Sequence, residues 1–125
     1  MRNGRIATWK LSEWITELAT TPMWLGLCSL DPYSVDDPLT AEIGGAVYRR
    51  PQARWESASP TLLRNAEPLR WAGLVPGTRV VTLAAWTAAY NGKLVVTMPL
   101  AEPRDFPAGG ALTLSAGEVY IGLDV

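Results

Sequence analysis

The sequence has no histidine, one cysteine, one phenylalanine and a formal net charge of only −1. Without histidine, a Ser-His-Asp or Cys-His site, an imidazole base and a His-ligated metal centre are all excluded. Cys28 lies between Leu27 and Ser29 in an apolar run. It has no disulfide partner and no neighbouring cation in sequence to activate its thiol, so it reads as a small buried hydrophobe. The lack of disulfides fits assembly in a reducing cytoplasm. Eleven basic residues against twelve acidic ones leave no broad field for nucleic acid or an anionic membrane. No stretch approaches the roughly 20 apolar residues that span a bilayer, and the run from Met1 to Lys10 lacks the apolar core of a signal peptide. The expectation is a soluble protein made inside the cell, with no membrane or nucleic-acid partner.

What the chain has in excess is tryptophan, six in 125 residues. Such wide, rigid side chains serve a heavy core or an adhesive contact surface. The length suits one domain that buries about two-thirds of its unfolded surface. From Leu11 to Ala19 the period is helical: Leu11, Trp14, Ile15 and Leu18 share a face, Ser12 is placed to cap, and Thr20-Thr21-Pro22 ends the run. We expect an N-terminal arm with a short amphipathic helix over 1–21 and a β-domain over 22–125.

Everything after Pro22 reads as strands. They are expected at Met23 to Leu30, Ala46 to Arg50, Gln52 to Glu56, Pro68 to Ala72, Thr78 to Tyr90, Lys93 to Leu100, Ala111 to Ser115 and Gly117 to Val125. In the last, Val119, Ile121, Leu123 and Val125 alternate with Glu118, Tyr120 and Asp124, so one face is wet. Asn91-Gly92 suits a type I′ turn and predicts antiparallel pairing of the strands on either side. The fold class is therefore mainly β, a single jelly-roll or Greek-key-like β-sandwich of about seven to eight strands with one short N-terminal helix. Val81, Leu83 and Ala85 on one face, and Val80, Ala84, Trp86 and Ala88 on the other, leave the long strand dry on both sides. Its outer face then calls for a cover, for which a helix or a neighbouring subunit is favoured over a long loop, the alternative being that the alanines are simply tolerated outside.

The order of short motifs resembles that of small all-β virion proteins of tailed bacteriophages, of the tail-fibre or minor tail kind. The features are Asp31-Pro32 at a strand end, an acidic stretch Thr40 to Glu42, Gly44-Gly45, Tyr48-Arg49, Asn65, Gly77-Thr78, Asn91-Gly92, Gly109-Gly110 and Ala116-Gly117. They cover residues 22–125. The family pattern usually has a Gln or other polar residue after Tyr-Arg, and this chain departs from it with Arg50-Pro51. The resemblance implies a non-enzymatic structural protein, a minor tail, tail-tip or fibre-associated component, or alternatively a capsid decoration protein. It would be assembled in the bacterial host cytoplasm and would reside in the virion. Its partners would be copies of itself, a trimer or other homo-oligomer, and other virion proteins.

Candidate chemistry elsewhere is sparse. Gly44-Gly45 reads as a hinge into the strand at Ala46. On that strand Tyr48 and Arg50 would share one face and Arg49 would take the other, with an arginine meeting carboxylates or carbonyls, Asp31 among them. The acidic loop Asp31, Asp36, Asp37 and Glu42 has oxygen ligands enough for calcium but not the spacing of an EF-hand, so a solvated loop is the better reading. The same carboxylates are the natural pair for a glycosidase, yet nothing else supports one. We expect no catalytic residue, cofactor or metal. The protein-interface candidates are Trp9, Trp14, Trp24, Tyr48, Arg49 and Arg50, with Trp55, Trp71 and Trp86 assigned to packing. A glycan-binding receptor-recognition role, with a host-surface glycan as partner, would instead require exposed aromatics beside polar groups.

Overall fold

The computed structural model describes residues 7–122. Helix α1 (Thr8–Thr20) precedes nine strands among these residues: β1 (Met23–Cys28), β2 (Gln52–Ala53), β3 (Trp55–Ser59), β4 (Leu62–Asn65), β5 (Leu69–Leu74), β6 (Thr78–Trp86), β7 (Leu94–Phe106), β8 (Gly110–Leu114) and β9 (Tyr120–Gly122). They form three antiparallel sheets, ordered β2-β1-β6-β7, β3-β4-β9 and β5-β8. The mainly-β architecture is the one that the turn spacing implies. Residues 1–6 of the expected arm, and Leu123, Asp124 and Val125 of the last expected strand, lie outside the described residues.

Helix α1 starts earlier than its apolar face suggests. Ala7 is the N-cap and offers no side-chain bond, so Ser12 is not the cap. It sits inside the helix, where its carbonyl accepts from Thr16 Oγ1 at 2.9 Å. Leu11 and Ile15 are buried, and Leu18 and Ala19 pack partly against the same core. One core draws on all three sheets, with Leu25 and Leu83 from the first, Leu63 and Ile121 from the second, Trp71 and Leu112 from the third. Two buried polar groups stitch it. Trp71 Nε1 donates to the Leu25 carbonyl at 2.9 Å. Asn65, fully buried, donates through Nδ2 to the Glu67 and Ser115 carbonyls and accepts the Val119 N–H on Oδ1.

Strand β1 lies against β6 with Leu25 opposite Ala85, Gly26 opposite Ala84 and Leu27 opposite Leu83. Side chains alternate across a strand, and both faces of this pair are dry. Leu25, Leu27, Leu83 and Ala85 enter the main core, while Cys28, Ala84 and Trp86 form a second cluster on the outer face with Ala41. A register break between Val80 and Thr82 shifts Val80 to the main-core side, away from the face it was expected to share with Ala84 and Trp86. Helix α1 belongs to the main core, so it is not the cover of the outer face. That cover is a long loop, Ser29 to Arg50, which returns across the sheet with Val35 and Leu39 packed on the second cluster.

Several elements depart from expectation, three of them with a clear physical reason. No strand forms at Ala46 to Arg50, because Tyr48 N–H closes a turn onto the Gly45 carbonyl and the side chains, not a backbone ladder, take up the polar groups. Strand β4, which was not expected, pairs with both β3 and β9; its inward residues are Leu63 and Asn65, and a buried asparagine disguises the apolar alternation. Strand β7 runs on through Pro99 and Pro103, which an edge strand tolerates because its outward N–H groups have no ladder partner to lose.

Candidate functional site

The loop that covers the outer face carries two Asp-Pro steps with the same local chemistry. Asp31 accepts the Tyr33 N–H and its carbonyl takes Ser34 Oγ, while Asp37 accepts the Leu39 N–H and its carbonyl takes Thr40 Oγ1. Each aspartate caps a single 3-10 turn, Pro32–Ser34 and Pro38–Ala41, with proline in the first turn where no N–H is needed. These two carboxylates are therefore committed to the backbone. No group of histidine, cysteine and carboxylate side chains that could hold a metal occurs among the described residues.

Glu42 leaves the acidic run and turns inward. The loop joins the end of β1 through Ile43 N–H to the Leu27 carbonyl and Ser29 N–H to the Ala41 carbonyl, which sets Glu42 opposite Cys28. Arg50 reaches back to it with Nη2 to Oε1 at 2.6 Å and Nε to Oε2 at 2.9 Å, a side-on pair that fits the guanidinium fork. Tyr48 hydroxyl donates to Glu42 Oε2 at 2.6 Å and accepts the Leu27 N–H at 2.8 Å. Arg50 Nη1 donates to the carbonyls of Ala88 and Asn91. The guanidinium carbon sits 4.7 Å from the centre of the Trp86 ring. A Cβ at Gly26 would collide with Glu42 Oε2, so glycine there is what lets the carboxylate lie on the sheet.

This cluster is a latch: it fastens the loop to β1 at one end and to the β6–β7 turn at the other. Its charge alters its neighbours. Burial, reinforced by the Glu42 carboxylate, pushes the Cys28 thiol up to about 12 against a smaller opposing pull from Arg50. Burial, then the charge of Glu42 and the hydrogen bond to it, likewise raises Tyr48 well above the usual phenol range. Neither group ionises near neutral pH, and Cys28 is an unreactive buried thiol.

The latch also explains the shape of the β6–β7 turn. Asn91 and Gly92 take the positive φ angles of 56° and 80° that suit a type I′ pair. The strands nevertheless stop at Trp86 and restart at Leu94, because the carbonyls of Ala88 and Asn91 are turned to Arg50 and not to a ladder. Between the loop and this turn lies an open cleft of about 620 Å³, lined by Ile43, Gly44, Gly45, Arg49, Tyr90 and Asn91 over the Glu42–Arg50 pair.

The expected contact residues thus divide. Arg50 is buried with its guanidinium engaged inside the chain, and Tyr48 is half-buried with its hydroxyl engaged; both bond to Glu42. Arg49 is exposed and donates to the neighbouring Tyr48 carbonyl, not to Asp31. Trp24 is half-buried on β1, opposite Trp86. Trp9 and Trp14 are the exposed ones, at 67 % and 39 %. Lys10 lies between them, 5.8 and 6.0 Å from the two ring centres, and pairs with Glu13 at 3.0 Å. Trp14 was assigned to the apolar helix face, yet it is Leu11 and Ile15 that enter the core. Trp71 and Trp86 are buried as expected, and Trp55 is half-buried. Two residues of the cleft, Glu42 as the counter-ion of Arg50 and Tyr90 at the turn, were not singled out for these roles. The only advance signal of either was an aromatic residue directly before Asn-Gly.

No protein-family model matches this sequence, and no curated protein matches it.

Proposed function

We propose that this protein is a non-enzymatic structural component of a tailed-phage virion, a minor tail, tail-tip or fibre-associated protein that works through symmetric protein–protein contacts. The observation that carries the reading is the display of Trp9 and Trp14 on a helix that is anchored in the core through Leu11 and Ile15 instead. Neither indole belongs to the core cluster, and tryptophans are among the side chains that most often serve as anchors in protein contacts. The order of motifs from Asp31-Pro32 to Ala116-Gly117 supports placing such contacts in a virion. The carboxylates of the acidic loop that would serve hydrolysis are largely otherwise employed, Asp31 and Asp37 as caps and Glu42 in the latch, which supports the non-enzymatic role.

The test is location and assembly together. Gold-labelled antibody against the chain is expected on the tail of purified particles, and sedimentation of the purified protein is expected to show a homo-oligomer. Trp9→Ala with Trp14→Ala should return it to a folded monomer whose far-UV circular dichroism matches the parent's and whose melting temperature no longer depends on protein concentration. Particles without label, or a wild-type protein that stays monomeric at high concentration, overturn the proposal.

A further inference from the structure

We infer that the cleft between the loop and the β6–β7 turn binds a carboxylate-bearing saccharide, a hexuronate unit of an acidic glycan. This goes beyond the structural role proposed above and does not rest on it. Tyr90 stands 82 % exposed at the turn and lines the cleft. A phenol ring left in water stabilises nothing in the fold, but its face suits the C–H face of a pyranose ring. The turn that carries it is held by Arg50, which is itself buried and donates to the Ala88 and Asn91 carbonyls at 2.9 and 2.7 Å. The ring is thus displayed on a pre-ordered support, which lowers the entropy cost of binding.

The charge in the cleft selects the ligand class. The Glu42 carboxylate is neutralised by Arg50 and takes a further hydrogen bond from Tyr48, so it neither repels an anion nor seeks another cation. Arg49 is the remaining charge on the cleft wall. Its Nη1 bonds to the Tyr48 carbonyl at 2.7 Å, which steadies the guanidinium, while Nε and Nη2 have no partner among the described residues. That free edge is the planar fork that matches a carboxylate. Gly44 and Gly45 present backbone without side chains, and a Cβ at Gly44 would meet nothing within 4 Å, so this wall is open to a ligand. The Asn91 side chain completes the rim with donors and an acceptor for sugar hydroxyls.

The experiment is an amide-detected NMR titration with trigalacturonate, maltotriose and sodium acetate. Trigalacturonate is expected to shift the amides of Gly44, Gly45, Arg49, Tyr90 and Asn91, and to bind at least about ten-fold more tightly than maltotriose, because a charge-assisted bidentate contact is lost in the neutral sugar. Arg49→Ala should reduce trigalacturonate to the maltotriose level, and Tyr90→Ala should weaken both sugars. Neither side chain takes part in the latch, so the amides of Leu27 and Glu42 should keep their positions in both variants. No shift at the cleft, equal binding of the two sugars, equal binding of acetate, or full binding by Arg49→Ala would each overturn the assignment.

Discussion

Two regions of this molecule combine the same three groups, a cation, a tryptophan and a carboxylate, with opposite consequences. At the latch, Arg50 stacks 4.7 Å over Trp86 and pairs with Glu42, with side chains only 4 % and 11 % exposed. On α1, Lys10 lies between Trp9 and Trp14 and pairs with Glu13, with side chains 43 % and 57 % exposed. Water separates the two cases. In the latch each partner has lost its hydration, so removing one strands the other. On the helix every group remains solvated, and the cluster is weak within the chain but free to be buried by something else.

The sharpest way to break this comparison is to remove one cation from each region. Arg50→Ala is expected to cost about 3–5 kcal/mol in chemical denaturation, since it leaves a buried carboxylate without its counter-ion and two turn carbonyls without a donor. Glu42→Leu combined with Arg50→Met should recover much of that loss, because the desolvation penalty disappears along with the pair. A double variant no more stable than Arg50→Ala would mean that shape, and not charge pairing, holds the loop down.

Next in size is a steric test inside the loop's footprint. Gly26→Ala places a methyl group on the Glu42 carboxylate and 3.1 Å from Trp86 Nε1, and is expected to cost about 1–3 kcal/mol as the loop lifts. Gly44→Ala adds the same methyl group where nothing lies within 4 Å, and should stay within about 0.5 kcal/mol of the parent. Equal effects at the two glycines would contradict the close seating of Glu42 on β1.

The latch also sets an alkaline limit. Cys28 and Tyr48 are neutral when protonated, and both hold their proton more tightly folded than unfolded, where ordinary values are 9.0 and 10.0. Their contribution is complete below about pH 9 and is lost as the pH rises through the folded values. Each proton that only the folded state retains tilts stability downward by about 1.4 kcal/mol per pH unit. Urea midpoints followed from pH 8 to 11 should fall above pH 9, and Cys28→Ala and Tyr48→Phe should each flatten the fall. A parent curve level to pH 11 would show that water reaches both groups.

The fold class was legible in the sequence because Gly and Pro punctuation and period-two alternation are local signals. So was the end of α1 at Pro22, and so were the positive φ angles of Asn91-Gly92. What was not legible depends on long-range polar contacts. Asn65 points inward and so hides β4. Arg50 captures the carbonyls of Ala88 and Asn91, 38 and 41 residues away, and so widens the turn beyond its two-residue form. Glu42 reads as one more acid in a solvated loop until Gly26 is known to lie beneath it. The paired Asp-Pro steps were legible in principle, since Asp31-Pro32-Tyr33-Ser34 and Asp37-Pro38-Leu39-Thr40 repeat one capping pattern.

The smallest effect belongs to the exposed cluster, and its smallness is what makes it informative. Lys10→Ala removes an ion pair at three-residue helical spacing and two cation–π contacts near 6 Å. All are solvated, so the cost to the monomer should be no more than about 0.5 kcal/mol. If Trp9 and Trp14 are anchors, the same substitution should alter self-association far more than folding, because a partner that covers the indoles also removes water from Lys10 and strengthens its contacts with them. Sedimentation and denaturation on the one variant separate the two effects. A change in stability as large as the change in association would mean that the aromatic face of α1 is part of the fold after all, and the contrast with the latch would fail.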